Sequence, residues 1–354
     1  MQHAIPITAS PGNHTMGESL IPYVTDKIHQ DLRDTAIDCI QVVGAVQREP
    51  PARIAAFERD QIIDYRRPTV LSVDSSTAQL NCFPSRNLVL HYASLVSTYL
   101  KLCGRNPDIV RATLPSPLQT AEFLRESNLR FLGPVDLAII GDVHKLNLHE
   151  GEWQGNRGPE PRIFRWKKFT SPQGKTVAMI GCQEKIWGDA SYHLIHALRA
   201  GSGVQCVIYI AKSGSLLKHL DPNTWIATGD VAFLDEEIIH WENPLKEATD
   251  LATRVVDGPI VTVPTSLCET QEWLRQWSTK AHWVDCEVGY MAKAAAELRI
   301  PFGFLHVVSD NLHLTDGENL SNEDSPSVLR KRESLYEVMN NILDTLIARW
   351  TGES

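Results

Sequence analysis

The sequence predicts an α/β sandwich built on a sheet that is buried on both faces. Three observations predict it. From Gly133 onward, short apolar runs alternate with stretches of helical period. The runs are near-continuous in apolar residues, as strands covered on both faces are. Several of them end in glycine or polar residues, at Gly141-Asp142, Lys212-Ser213-Gly214 and Ser309-Asp310. Sites of open α/β sheets lie at such carboxyl ends.

The expected strands are Val135–Asp142, Thr176–Cys182, Gln205–Leu216, Asp230–His240, Pro259–Pro264 and Phe302–Asp310. The expected helices are Ala190–Gly201, stopping at glycine, then Val284–Leu298 and Pro326–Trp350. Residues 1–130 read differently, as an N-terminal extension or accessory α/β region before a main domain at 131–354. A helix is expected from Asp26 to about Arg59, interrupted at Pro50-Pro51, and a short strand at Thr69–Asp74. Helices are also expected at Arg86–Cys103 and Ser116–Ser127, the second with Ser116 at the N-cap and Pro117 in the first turn. No chemical motif falls in this part. Packing, oligomer contact or covering a pocket are the roles it suggests.

The chain has 354 residues, enough for one large domain or two ordinary ones. A net charge of −9 without a basic run argues against a nucleic-acid partner, whose phosphates need clustered Lys and Arg. No apolar stretch reaches the length of a membrane span, and the start lacks the pattern of a secretory signal. The seven cysteines are an odd, widely spaced set without a CxxC pair. Reduced thiols in a cytoplasmic protein, with no metal site, is the expectation they support.

Four positions could carry chemistry. Asp310 follows the apolar run FGFLHVVS. Burial there raises a carboxyl pKa and lets it donate a proton near neutrality, although Ser-Asp-Asn is also ordinary turn chemistry. Glu287 opens a helix, where it either complements the dipole or accepts from a pair of hydroxyls. Lys212 and Ser213 precede Gly214 at a strand-to-turn junction, which suits an anion or simply solvent-facing loop residues. His193 and His196 read as packing residues. Tyr209 and His306 face a site or avoid it according to a register that spacing leaves open.

The segment Val284-Asp285-Cys286-Glu287, its helix, and the strand ending Ser309-Asp310 resemble the nucleoside phosphorylase/nucleosidase superfamily. That family has a "V-E-M-E-A" helix and a strand ending "S-D", with the 23-residue separation found between Glu287 and Asp310. VDLAIIGD, CVIYIAKSGSL and TGDVAFLDEEIIHW resemble further family segments in the same order, so the resemblance covers about residues 131–350. It implies a three-layer αβα sandwich with a central mixed sheet. It implies an enzyme that cleaves, or in reverse makes, the N-glycosidic bond of a purine-like nucleoside. Asp310 would be the acid toward the base, with Ser309 beside it. Glu287 would bind the ribose diol, with Cys286 where the family has a sugar-packing methionine. Gly188 and Ser191 would line the sugar or phosphate pocket, and Trp273 is the aromatic available to stack on the base. A homo-oligomer is implied, with a neighbour completing the sugar pocket.

The family divides by nucleophile. Hydrolases use water activated by a glutamate at the fourth residue after the loop glycine; counted from Gly141 that residue is Lys145. The phosphorylase arginine is Tyr209 here, and the next hydroxyl residue is Lys212. An anion site of Gly141, Lys145, Lys212, Ser213 and Gly214 is therefore expected, with inorganic phosphate as co-substrate and no other cofactor. A nucleosidase using water and a non-catalytic nucleoside-binding protein are the alternatives.

Overall fold

The computed structural model describes residues 3–34, 37–45, 68–72, 76–156, 161–250 and 252–352. Among these residues, eleven strands form the main sheet, with parallel and antiparallel pairs. Its two faces are buried by different clusters. On Cys206–Ser215, Val207 and Tyr209 enter one core while Cys206, Ile208 and Ile210 enter the other. The strand is apolar throughout because period-2 alternation delivers residues to both cores.

Helices Asp189–Ser202 and Val288–Leu298 pack together on the first face. Helix Pro326–Arg349 covers the second, and Leu335, Met339, Ile342 and Leu343 carry the helical spacing of its buried stripe. Each such side chain, fully buried, contributes roughly 1.5–3 kcal/mol. This is the expected three-layer αβα sandwich with a central mixed sheet.

A second sheet of five strands lies in the N-terminal part, in the order His3–Ala4, Val110–Thr113, Cys39–Gly44, Thr77–Cys82, Thr69–Ser72. The helix expected from Asp26 is therefore corrected. Helices Leu20–Lys27 and Gln30–Asp34 are short, and Cys39–Gly44 is a parallel strand with Ile40 and Val42 buried in alternation. Residues 46–67, which include the rest of that expected helix, lie outside the described residues, as does Asp74. Helix Arg86–Leu102 joins this sheet to the main sandwich, and its buried residues share one core with both. Pro117–Glu126 starts as read, with a capping box between Ser116 and Gln119.

Two further expectations change. Asp230–His240 is a hairpin of Val231–Leu234 and Glu237–His240, turned at Asp235 with φ of 52°. Val284 belongs to a strand, Trp283–Asp285, and the helix begins only at Val288.

One branch in the main sheet positions the site. Strand Phe302–Asn311 runs parallel to Cys206–Ser215 along one edge, pairing from Val207 to Ser215. The other edge of Cys206–Ser215 is shared. Leu137–Gly141 takes residues 206–210, and Trp283–Asp285 takes 214–215 in the opposite sense. Between these partners, Ala211, Lys212 and Ser213 have no described strand beside them on that edge. The sheet opens there into a cavity.

Candidate active site

The cavity has a volume of about 210 Å³. It gathers the carboxyl ends of Leu137–Gly141, Thr176–Cys182, Cys206–Ser215 and Phe302–Asn311 with the start of the Val288–Leu298 helix. Asp310, Ser309, Glu287, Cys286, Gly141, Lys212, Ser213 and Gly214 all line it.

Asp310 sits where the pairing register shifts between Val308 and Asp310. The bulge turns its side chain into the cavity. Ser309 Oγ lies 2.7 Å from Asp310 Oδ1. Burial pushes the Asp310 pKa up against that hydrogen bond, and the nearby Glu323 adds to the rise. Glu269 also lines the cavity, and burial together with the charge of Asp310 raises its pKa well above the carboxylate range. The sequence reading missed Glu269. It lies in a loop with no periodicity, and only the fold brings it opposite Asp310.

Glu287 stands at the N-cap, but its side chain does not cap. Asp285 does. Its Oδ2 accepts the N–H of Glu287 at 3.1 Å and of Val288 at 2.7 Å, and its Oδ1 accepts the Thr262 hydroxyl at 2.7 Å. The helix start is satisfied by a neighbour, and Glu287 lines the cavity. Burial pushes the Asp285 pKa up to about 6.

The anion site differs from the expectation. Lys145 lies off the cavity. Its Nζ donates to Asp142 Oδ2 at 2.9 Å and stands 5.5 Å from the Tyr336 ring centroid. Burial opposes the Asp142 charge, but Lys145, Lys212 and His144 outweigh it and hold the carboxyl at about 2. Lys212 is on the cavity but ion-paired to Glu323, which also lies 3.9 Å from Lys27 and 3.6 Å from Arg332. Burial opposes that carboxylate too, and Lys212 and Lys27 more than offset it. Ser213 is different: its buried Oγ has no hydrogen-bond partner among the described residues. Seven carboxyl residues and three lysines line the cavity, and no arginine does among the described residues.

Gly141 has φ of 101°, and a Cβ there would overlap the Ile210 carbonyl oxygen. The close approach lets Asp142 N–H donate to that oxygen at 2.8 Å. Tyr209 lines the cavity and sets its ring edge-on to His306, at 5.1 Å between centroids. His306 lies in the floor beneath, fully buried, its pKa pushed down to about 3 by burial. Ser191 does not line the cavity. Its Oγ donates to the Gly188 carbonyl at 2.6 Å and lies 3.2 Å from that of Glu287, which ties the two helix starts together. His193 and His196 are partly buried beside Tyr192. Trp273 is corrected. It packs against Trp277 at 6.3 Å between centroids and does not line the cavity. The aromatic residues that do line it are Tyr23, His91, Tyr92, Phe164, Trp187 and Tyr209.

Residues 234–347 match the family described as the Phosphorylase superfamily. The resemblance is to the nucleoside phosphorylase/nucleosidase superfamily. Glu287, Ser309 and Asp310 all fall within the matched segment. No curated protein matches the chain. Among solved structures, a futalosine hydrolase mutant from Helicobacter pylori is 16% identical, covering 60% of this chain and 99% of that one, with a TM-score of 0.47. A methylthioadenosine/S-adenosylhomocysteine nucleosidase from Colwellia psychrerythraea, in complex with adenine, is 14% identical over 62% and 98%, with a TM-score of 0.46. The corresponding nucleosidase of Campylobacter jejuni is 12% identical over 60% and 99%, at 0.47. Likenesses this distant assign no activity.

The carboxyl groups predict an uncommon pH dependence of stability. Asp285, Asp310 and Glu269 have raised folded pKa values. Their stabilisation is present below the unfolded pKa and is lost as pH rises through the folded one, about 6 for Asp285. Asp142 and Glu323 have lowered values, so their contribution is present above the unfolded pKa and is lost as pH falls, toward about 2 for Asp142. These carboxyls alone would put the optimum at about pH 4, near the unfolded carboxylate pKa. His91 and His306, held at about 3 by burial, take stability away as pH falls below about 6.5. The thermal midpoint is therefore expected to be highest between about pH 4 and about 6.5. Calorimetric scans across pH check this; a midpoint that climbs steadily into the alkaline range would contradict it.

Proposed function

We propose that this protein hydrolyses the N-glycosidic bond of a purine-like nucleoside. The observation that carries the reading is one cavity lined by two acids: Asp310, buried at the strand bulge with its pKa raised, and Glu287, whose side chain does not cap the helix it precedes. A purine leaves more readily when its developing negative charge is neutralised by a proton, which Asp310 would supply. The sugar becomes cationic as the bond breaks, and Glu287 would stabilise that charge while holding the ribose hydroxyls. Both groups are positioned before substrate enters, so little reorganisation is needed.

The charge inventory favours water over phosphate as nucleophile. Lys145 is committed to Asp142, and Lys212 to Glu323. An entering phosphate would meet a predominantly acidic lining without an arginine fork among the described residues to grip it. Ser213 Oγ, which has no partner among those residues, suits a neutral water. Phosphorolysis, expected from the cation at position 145, is the less supported reading.

Base release from adenosine, inosine and guanosine in phosphate-free buffer, followed by chromatography, tests this. Free ribose is expected, at a rate that added phosphate does not raise. Ribose 1-phosphate formed only when phosphate is present would establish the phosphorylase reading.

A further inference from the structure

The N-terminal region forms one wall of the cavity. Tyr23 and Lys27 come from helix Leu20–Lys27; His91, Tyr92 and Leu95 come from helix Arg86–Leu102. The same region also fixes part of the rim. Thr15 N–H donates to the Glu269 carbonyl at 3.0 Å, and Gln271 N–H donates to the Asn13 carbonyl at 2.9 Å. His14 Nε2 donates to the Ser266 carbonyl at 2.9 Å, in the tautomer whose Nδ1 accepts from Met16 N–H. The Tyr23 hydroxyl lies 3.3 Å from Ser266 Oγ, and His91 Nδ1 lies 2.8 Å from Thr265 Oγ1. His91 also stacks on Trp187, with centroids 4.4 Å apart. The loop bearing the cavity residues Ser266 and Glu269 is thus held from the N-terminal side.

A third set of contacts anchors the wall itself. Ser85 Oγ bridges the Trp187 carbonyl and Asp189 Oδ1, each at 2.7 Å, and Asn87 N–H donates to Asp189 Oδ1 at 3.1 Å. An added Cβ at Gly188, φ 57°, would overlap Asn87. The helix carrying His91 and Tyr92 therefore starts against the turn that bounds the cavity. Buried hydrogen bonds of this kind are costly to leave unmade, so the wall and the loop hold one another in register.

We propose that the N-terminal region is the second half of the ligand-binding site, supplied in cis, so that a single chain carries a complete site. Lys27 and Tyr92 contact the ligand directly. Tyr23 and His91 are positioning residues that act through the Thr265–Ser266 loop. The identity of the ligand rests on the nucleosidase reading above, whereas the wall itself does not. A neighbouring copy, which the family resemblance implied would complete the sugar pocket, is not needed for this.

The test mixes two inactive or weakened variants of the full chain. Tyr92→Ala is expected to raise the KM for the nucleoside by about tenfold or more, with kcat much less affected. Mixed with Asp310→Asn, it regains nothing if each chain supplies its own wall. Recovery of wild-type KM in the mixture would show a site shared between copies and overturn the proposal. Tyr23→Phe, which keeps the ring and loses the hydroxyl, is expected to raise KM while lowering the thermal midpoint only by the few degrees one lost hydrogen bond costs; an unchanged KM would remove its positioning role. A second readout needs no turnover. Iodoacetamide alkylation of Cys286, a cavity-lining thiol, is followed by peptide mass spectrometry. His91→Ala is expected to accelerate it about tenfold or more by opening the wall. If the wild type neither binds nor cleaves any purine nucleoside, the nucleosidase reading fails while the wall is still judged by this rate. An unchanged rate in a folded His91→Ala protein overturns the wall.

Discussion

Asp310→Asn is expected to lower kcat for the proposed purine release by about 10²–10⁴-fold, the usual contribution of a positioned general acid. Nucleoside binding is expected to stay within a few-fold, because the amide keeps the shape and one acceptor. The size follows from the surroundings. Asp310 is buried and faces the charge of Glu323, and these outweigh Ser309, Lys212 and Arg332, so it keeps its proton to a higher pH than an exposed carboxyl. The sign for activity is set by the acid form. The wild-type rate falls as pH rises through the raised Asp310 pKa, and the variant loses that limb of the profile. Steady-state rates across pH for both proteins check this. An Asp310→Asn variant with a wild-type rate and an unchanged alkaline limb would place the acid elsewhere, with Glu269 the first residue to substitute.

Gly141→Ala should cost about 3 kcal/mol or more of stability. Two effects act together. The backbone at φ 101° is one that residues with a Cβ rarely adopt, and the new methyl would overlap the Ile210 carbonyl oxygen and approach Tyr209 Cε2 within 2.9 Å. The overlap is with main chain, so no side-chain rotation relieves it. Separating Leu137–Gly141 from Cys206–Ser215 would also stretch the Asp142 N–H bond to Ile210 and disturb the Asp142–Lys145 pair. The urea midpoint of the variant measures the loss. A midpoint equal to the wild type's would mean that this strand end can move without cost, and the close approach would then have no structural role.

Some of the site was legible before any fold was known, because it is written locally. Glu287 and Asp310 belong to one helix-and-strand unit, and their 23-residue separation, which matches the family resemblance, is what paired them. The apolar runs of Cys206–Ser215 and Phe302–Asn311 were readable because burial on both faces leaves no polar alternation. The helix Asp189–Ser202 was equally local, but its stop was read at Gly201, which lies inside it; Gly203, φ 70°, caps it instead.

Other features depend on contacts between distant segments. Nothing near Lys145 in sequence says that Tyr336, almost two hundred residues later, lies under its ammonium, or that Glu323 takes up the charge of Lys212. Trp273 was offered by the family resemblance as the aromatic available to stack on the base, but its short helix sets it against Trp277. Residues Cys39–Gly44 were read within a helix because their apolar content suits either period, and pairing with two parallel strands decided the matter.

By itself, then, the sequence determined the layered α/β class and the order of the main elements, which follow from short-range periodicity, and it offered the pair of acids through the family resemblance. Tertiary structure alone decided which charges are spent and where the cavity opens. It also made residues before 130 one wall of that cavity, because ion pairing, strand branching and buried hydrogen bonds join groups that the chain keeps far apart.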